Sequence, residues 1–210
     1  RQAIRAEAIE AVVRKTIRKA LRRAPNGQVQ EIVARYARQV DSLLQRVIGE
    51  TQVDLDGEHV RTGETNLGDF IADVMRQTAG AEAALINGGT IRTGIPQGKI
   101  TVKDIYAVLP FDNYLVAISL TGAQVKAALE HGVARLEESA GSFPQVSGLT
   151  FTYSRSAPAG ARVKDVTVGG RPLDPQKEYA VATNDYLVAG GDGYTVFGEA
   201  LKSAGDYANL

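Results

Sequence analysis

Short strand-like and helix-like runs follow one another irregularly from Gly49 onward, and this order constrains the fold more than any other feature. Strand patterns occur at TQVDL (51–55), AEAALI (81–86), YLVAISL (114–120) and near Gly148–Tyr153, Arg162–Val168 and Tyr179–Thr183. Helix patterns occur from Asn66 to Thr78, just before Pro110 and from Thr121 to about Leu136, whereas a last helix near the C-terminus stays undecided. The irregular succession predicts an α+β fold, a mixed β-sheet with flanking helices, rather than a doubly wound parallel sheet.

Two amphipathic helices are predicted ahead of this region. Apolar residues recur at helical spacing over residues 1–24, up to a break at Pro25–Gly27, and again from about Val29 to Val47. The pattern predicts a helical arm over residues 1–48, followed by a domain over residues 49–210.

The first of these helices is strongly basic, with eight Arg or Lys and only two Glu in residues 1–24. A basic amphipathic helix is typical of a packed helix with a solvated face, or of one that binds nucleic acid or a membrane surface. The arm contains no Trp or Phe that would anchor it in a membrane. Packing is therefore the favoured interpretation, and neither nucleic acid nor a membrane is an expected partner.

Residue counts exclude several classes of catalytic site. The chain has no cysteine, so disulfides, thiolate catalysis and cysteine-ligated metals are excluded. Its two histidines, His59 in a polar loop and His131 on a predicted helix, have no nucleophile and acid arranged beside them as a catalytic triad requires. The segment NGGTIRTG lacks the Gly-Lys-Ser/Thr ending of a phosphate-binding P-loop. We therefore predict no catalytic residue and no metal site in this chain.

Two loops carry groups that suit an anion. INGGTIRTG (86–94) places Asn87, Gly89 and Arg92 directly after a predicted buried strand. Backbone N–H groups of a glycine turn, together with a guanidinium, bind phosphate or carboxylate groups, although an ordinary loop has the same appearance. Arg61 begins RTGETNLGD, just ahead of a predicted helix N-terminus, which also favours anions.

Two aromatic residues also stand in loops. Phe111 follows Pro110 in AVLPFDN, where it either covers the core or lies exposed for a ligand. Tyr186 and Asp192 lie in TNDYLVAGGDGY (183–194), whose glycines indicate either a hairpin turn or a backbone that approaches a ligand closely. Two aromatic rings can sandwich a planar base, and a carboxylate suits vicinal ribose hydroxyls. Together these groups indicate a nucleoside or nucleotide ligand.

Five segments in fixed order carry a family resemblance. They are R-x-x-E-T-N-L-G-D, N-G-G-T-I-R, V-L-P-F-D-N, F-P-Q-V-S-G and N-D-Y-L-V-A-G-G-D-G-Y. The set resembles the C-terminal domain of 5′-nucleotidases, whose wider family includes UDP-sugar hydrolases and cyclic-nucleotide phosphodiesterases. The resemblance covers about Val29 to Phe197. It is specific for the domain but does not indicate one substrate.

The resemblance implies a set of substrate-binding residues. These are Arg61, Asn87, Gly89, Arg92, Phe111, Tyr186 and Asp192. Phe111 and Tyr186 match the two aromatic rings that stack on the base, although the family usually has phenylalanine at the second site. Asp192 matches the acid that binds the ribose hydroxyls, Arg61 and Arg92 match arginines near the phosphate and ribose, and the amide of the INGG segment matches a residue near the base.

The resemblance also implies a partner domain. In the family, an N-terminal metallophosphoesterase domain holds two divalent metals in motifs such as D-x-H and G-N-H-[ED], and neither motif occurs here. The chain is then expected to bind a nucleotide without a cofactor of its own and to be inactive alone. Family members mostly act outside the cytoplasm, in a periplasm, at a cell wall or on a cell surface. The alternative is a stand-alone nucleoside-binding or assembly module with no hydrolase attached.

Overall fold

The computed structural model describes Glu31, Arg35 and residues 40–204 of the 210-residue chain. The predicted helix over residues 1–24 and the break at Pro25–Gly27 lie outside these residues. The described chain divides into two compact units. One unit comprises the residues up to Leu55 together with Arg92–Asp112, and the other comprises Asp56–Ile91 together with the residues from Asn113 onward.

The first unit contains a two-stranded antiparallel sheet and one short helix. Strand β1 (Val47–Thr51) pairs with a later strand, Gly98–Thr101, which is the third along the chain and is called β3. A short helix, Val102–Val108, follows β3 directly. Its N-terminus is closed by Thr101 and Asp104 in a capping box, in which each side chain bonds the backbone N–H of the other residue.

The second unit is built on a four-stranded mixed sheet. Its strands are β2 (Ala83–Asn87), β4 (Leu115–Thr121), β5 (Pro144–Ser147) and β9 (Glu178–Asn184). They lie in the order β4-β9-β2-β5, with β2 and β9 parallel and the two outer pairs antiparallel. A separate three-stranded antiparallel sheet comprises β6 (Leu149–Tyr153), β7 (Val163–Val168) and β8 (Arg171–Pro172). The predicted α+β fold with a mixed sheet is confirmed.

The helices of the second unit pack on the two faces of the mixed sheet. They are Asn66–Ala79, Gly122–Gly132, Asp185–Val188 and Thr195–Ala204. Together with Val102–Val108, the helices that follow β1 in the described residues are labelled α1 (66–79), α2 (102–108), α3 (122–132), α4 (185–188) and α5 (195–204). Helix α1 packs against β2 and β5. The main core joins α3 and α5 to alternate residues of the strands, such as Leu85 and Val181, because successive side chains of a strand point to opposite faces.

Capping residues account for where helix α1 begins and ends. The side chain of Thr65 accepts a hydrogen bond from the N–H of Gly68, which satisfies a backbone donor in the first turn of α1. Gly80 ends the helix with φ 62°, a left-handed conformation that glycine adopts without a Cβ clash. The predicted helix from Asn66 to Thr78 is therefore confirmed, and the structure shows that Thr65 caps it.

Several predicted boundaries were wrong. The predicted strand TQVDL starts too late, because Thr51 ends β1 and its Oγ1 bonds both the N–H and the carbonyl of Val53, which turns the chain away. The second arm helix does not reach Val47, which begins β1, and residues 40–44 are its last helical residues. Helix α3 ends at Gly132 rather than near Leu136. Just beyond its end, the guanidinium of Arg162 donates a hydrogen bond to the carbonyl of Val133.

Other elements went unpredicted or undecided. Strands β3 and β5 carried too few residues for a clear pattern, and β5 begins with a proline, which sheets tolerate at the first residue of an edge strand. The undecided last helix is present as α5. No helix in the described part of the chain is both long and apolar enough to cross a membrane.

Candidate functional site

The glycine-rich segment after β9 is not a hairpin, so that interpretation was wrong. The chain passes from β9 into the short helix α4, then into a 3-10 turn over Gly191–Gly193, and then into α5. Gly190 and Gly193 both have φ 87° and Asp192 has φ 50°, so three residues with positive φ reverse the backbone within four positions. Such a conformation is uncommon for a residue other than glycine, and Asp and Asn tolerate it best.

The carboxylate of Asp192 is held from two sides. The hydroxyl of Tyr186 donates to Oδ1 at 2.8 Å, and the same hydroxyl accepts from the backbone N–H of Asp192 at 3.1 Å. The side-chain amide of Asn87 donates to Oδ2 at 2.6 Å. Each carboxylate oxygen therefore has one protein donor, and hydrogen bonds to an ionised acceptor are the stronger ones in proteins.

Asn87 is placed by the end of a buried strand. It is the last residue of β2, whose five residues are all buried, and it is 2% exposed. Its Oδ1 accepts a short hydrogen bond from the hydroxyl of Thr90. Because an ionised carboxylate only accepts hydrogen bonds, the amide nitrogen is the end that meets Asp192, and the amide oxygen accepts from Thr90.

Glycines allow two loops to approach this carboxylate. The N–H of Gly89 donates to the carbonyl of Gly141 at 2.8 Å. A Cβ on Gly141 would lie 3.1 Å from Oδ2 of Asp192, and a Cβ on Gly89 would lie 3.0 Å from the Cα of Gly141. Both are tighter than ordinary carbon contacts, so these positions favour glycine because of the close approach.

His131 takes part in this arrangement, which sequence reasoning missed. It lies near the end of α3, and its Nε2 is 2.8 Å from the carbonyl oxygen of Asp192. Its ring meets the edge of Tyr194, with ring centroids 4.7 Å apart, and a Cβ on Gly193 would lie 2.8 Å from its Cε1. Sixty-one positions separate His131 from Asp192 in the chain, so no local motif could have indicated the contact.

Arg61 lies in a loop that a buried glutamine holds in place. Gln145 of β5 donates from Nε2 to the carbonyls of Val60 and Gly63 at 3.0 and 2.8 Å, and its Oε1 accepts from the N–H of Thr65 at 3.2 Å. A Cβ on Gly88 would lie 2.0 Å from the carbonyl oxygen of Val60. The loop that carries Arg61 therefore packs against the glycine turn that follows Asn87.

Arg92 and Phe111 belong to the first unit. The N–H of Arg92 donates to the carbonyl of Val108 at 2.9 Å, which ties it to the end of α2. Phe111 follows Pro110 after the same helix and is half-buried. Four of the predicted site residues, Asn87, Gly89, Tyr186 and Asp192, come together within the second unit, whereas the convergence of Arg92 and Phe111 with them stays a prediction.

The electrostatics keep Tyr186 a neutral donor at ordinary pH. Partial burial, followed by the hydrogen bond to Asp192, raises the pKa of the Tyr186 phenol, since both disfavour the phenolate. The residue remains 43% exposed. The described residues include no group of three or more His, Cys, Asp or Glu side chains that could hold a metal ion. The arrangement suits recognition of hydroxyl groups and a planar ring.

A known protein family matches the region of the chain that contains these residues. The sequence model of the family described as "5′-nucleotidase, C-terminal domain" matches residues 47–199, which include every predicted site residue. The chain belongs to this family. The resemblance identified from the five motifs is thereby confirmed from Val47 onward.

Relatives of the 5′-nucleotidase C-terminal domain support this assignment. The chain is 42% identical over 186 residues to the trifunctional nucleotide phosphoesterase protein YfkN of Bacillus subtilis (strain 168), covering 83% of the chain. It is 32% identical over 173 residues to protein UshA of Escherichia coli (strain K12), covering 81% of the chain. Among solved structures, it is 47% identical to a 5′-nucleotidase precursor from Thermus thermophilus, with a TM-score of 0.76 over 81% of the chain.

These relatives are much longer than the part that matches. The chain covers 13% of YfkN, 30% of UshA and 36% of the Thermus chain. The activities of those relatives are therefore activities of longer polypeptides, and this chain resembles one domain of them.

Proposed function

We propose that this chain is the substrate-binding domain of a 5′-nucleotidase-type phosphohydrolase. In this proposal it grips the base and ribose of a nucleotide, while a separate dimetal domain hydrolyses the phosphate ester. The observation that carries the proposal is the carboxylate of Asp192, held by Tyr186 and Asn87 beside an exposed aromatic ring in a domain of this family.

The chemistry of the site fits a nucleoside. A carboxylate accepts hydrogen bonds from the two hydroxyls of a ribose, and an exposed tyrosine ring stacks on a base. Phe111 would supply the second ring of a sandwich, with ring planes roughly 7 Å apart, which is two carbon contact distances of about 3.5 Å. Arg61 and Arg92 would contact the phosphate, Asn87 would lie near the base, and Gly89 would let the backbone approach the ligand.

Hydrolysis would depend on residues outside this chain. Two divalent metals on a metallophosphoesterase domain would direct a hydroxide at the phosphorus. The described residues of this chain offer no comparable group of ligands. Relatives named as a nucleotide phosphoesterase and a 5′-nucleotidase precursor support a nucleotide as the substrate. By the same likeness we propose a location outside the cytoplasm, with neither nucleic acid nor a membrane as partner.

Two measurements test this proposal. Isothermal titration of the chain with adenosine should give saturable binding, and the absence of binding would contradict the proposal. The chain alone, supplied with AMP and Mn²⁺ or Zn²⁺, should show no turnover, whereas metal-dependent turnover near that of a complete 5′-nucleotidase would place the chemistry in this chain.

A stand-alone nucleoside-binding or assembly module is the second candidate, and the basic residues 1–24 favour it because they do not resemble the end of a catalytic domain. The coding sequence upstream of Arg1 distinguishes the two. A metallophosphoesterase domain encoded there would exclude the stand-alone module, and a start codon would support it.

Binding of the arm to nucleic acid would show as affinity that falls steeply between about 50 and 200 mM salt.

A further inference from the structure

The hydroxyl of Tyr186 forms two hydrogen bonds to one residue. It donates to Oδ1 of Asp192 and accepts from the N–H of the same residue. One hydroxyl therefore fixes both the side chain and the backbone of Asp192 at its left-handed turn. A phenylalanine would keep the ring and remove both bonds.

The ring of Tyr186 is itself held at this turn. A Cβ on Gly191 would lie 2.5 Å from Cε1 of Tyr186, so the ring packs directly on the glycine backbone. Tyr186 as a whole is 43% exposed to solvent. The surface offered to a base and the acid offered to a sugar are therefore parts of one connected structure.

The two protein donors leave a defined capacity on the carboxylate. An ionised carboxylate accepts about four hydrogen bonds, about two on each oxygen. Tyr186 takes one position on Oδ1, and Asn87 takes one on Oδ2. About one position then remains on each oxygen, and the carboxylate plane cannot rotate without breaking a protein hydrogen bond. Two fixed acceptors side by side match the two donors of a vicinal diol.

We propose that the hydroxyl of Tyr186 is a positioning group that makes the site select nucleosides carrying both ribose hydroxyls. This inference rests on the proposed nucleoside-binding function and adds a specificity determinant to it. Without the hydroxyl, Oδ1 loses its donor, and only the hydrogen bond from Asn87 still opposes rotation of the carboxylate about its Cβ–Cγ bond. A ligand that needs both oxygens then loses affinity, whereas a ligand with one hydroxyl still has Oδ2, which Asn87 continues to hold.

The test uses the full chain and the variant Tyr186→Phe, titrated with adenosine, 2′-deoxyadenosine, 3′-deoxyadenosine and adenine. We expect about tenfold weaker adenosine binding, the usual effect of losing one hydrogen bond to a charged group. Binding of the two deoxynucleosides and of adenine should change less than about twofold, so that discrimination between adenosine and its deoxy analogues narrows.

A matched control is Tyr179→Phe. Tyr179 lies near the other end of β9, and this variant also removes a hydroxyl that accepts a backbone N–H, that of Asp174 at 2.9 Å. It should leave every affinity unchanged. Loss of a generally stabilising contact in Tyr186→Phe would weaken all four ligands equally, and that result would overturn the specificity role.

A second measurement needs no ligand. Hydrogen exchange of the Asp192 amide should become faster in Tyr186→Phe and stay unchanged in Tyr179→Phe, because only the first variant removes its acceptor. Unchanged exchange in Tyr186→Phe would overturn the positioning role itself. If the unsubstituted chain bound neither adenosine nor adenine, the proposed function would fail and the specificity role with it, while the exchange result would still report on the contact.

Discussion

A Cβ on Gly68 would lie 2.1 Å from Oε1 of Gln145, so the first turn of α1 and strand β5 meet at a point where only a glycine fits. The two residues belong to different motifs, RTGETNLGD and FPQVSG. Their contact explains why the first motif has a glycine in the first turn of the helix. Strand β5, which follows much later in the chain, thereby also positions the loop of Arg61.

We predict that Gly68→Ala destabilises the protein. Alanine in a helix is ordinarily favoured over glycine by about 1 kcal/mol. Here the new methyl would displace a side chain that makes three hydrogen bonds, and such overpacking costs about 1–3 kcal/mol or more. Urea denaturation should show a net loss. Gly63→Ala is the control, since a Cβ there meets nothing within 4 Å, and an equal midpoint shift in both variants would contradict the prediction.

Gln145→Leu should lower the free energy of unfolding by about 3 kcal/mol, since the carbonyls of Val60 and Gly63 and the N–H of Thr65 would lose their partner. Urea midpoints check this result. Gln52→Leu removes an exposed glutamine that bonds Glu50 and should stay within about 0.5 kcal/mol of the unsubstituted protein. An unchanged midpoint for Gln145→Leu would mean that water replaces the lost bonds at little cost.

Asp69 should make stability depend on pH. Burial, together with the nearby carboxyls of Glu64 and Asp73, raises the pKa of Asp69 to about 6, although the helix N-terminus favours the ionised carboxylate. A group with a raised folded pKa contributes stability below its unfolded pKa of 3.8 and loses it as the pH rises through about 6. Asp69→Asn should therefore gain stability relative to the unsubstituted chain between pH 4 and 7, by about 1–2 kcal/mol after solvent screening.

Urea unfolding at several pH values between 4 and 8 measures this difference. Glu82→Gln supplies a comparison of opposite sign, because the hydrogen bond from Lys177 lowers the pKa of Glu82. Its stabilising contribution is present at neutral pH and is lost as the pH falls through the folded pKa, so the substitution should matter least in acid. A pH-independent difference for Asp69→Asn would show that Asp69 titrates normally.

Asp192→Asn should weaken adenosine binding by about tenfold or more, because the acceptor loses its charge. Asparagine tolerates the left-handed conformation, so the urea midpoint should change little. Asp165→Asn is a close control, since Asp165 is also left-handed, with φ 47°, and accepts a hydrogen bond from the hydroxyl of Thr152 within the separate sheet. Equal affinities for the two variants would remove Asp192 from the site.

Phe111→Ala should weaken adenosine binding by about 1–3 kcal/mol, the value of one base–aromatic stacking contact. Because Phe111 is only half-buried, its stability loss should stay well below the about 3–5 kcal/mol of a buried phenylalanine such as Phe143, which is 3% exposed. Phe70→Ala, at a ring that is 55% exposed on α1, should change neither quantity. A large stability loss with unchanged affinity would show that Phe111 belongs to the core and that the sandwich is wrong.

Local patterns in the sequence predicted those helices and strands whose defining residues lie close together along the chain. The helix from Asn66, the buried strand before Asn87, the helix that stops before Pro110 and the strand that leads into Thr121 were all predicted, because burial, periodicity and proline act within a few residues of the chain. The five ordered motifs determined the family for the same reason, since each is a contiguous stretch. Short strands such as β5 escaped because four residues carry too little periodicity.

Only the tertiary structure decided how the distant motifs meet. The glycine-rich segment reads equally well as a hairpin, and it becomes an acid-presenting turn because Asn87 and His131 reach Asp192 from other elements. Those contacts join residues 105 and 61 positions apart, because the ends of β2 and α3 both reach the turn that follows β9. Hydrogen bonds act over about 3 Å whatever the separation along the chain, so the sequence could name the chemical groups of the site but not their partners.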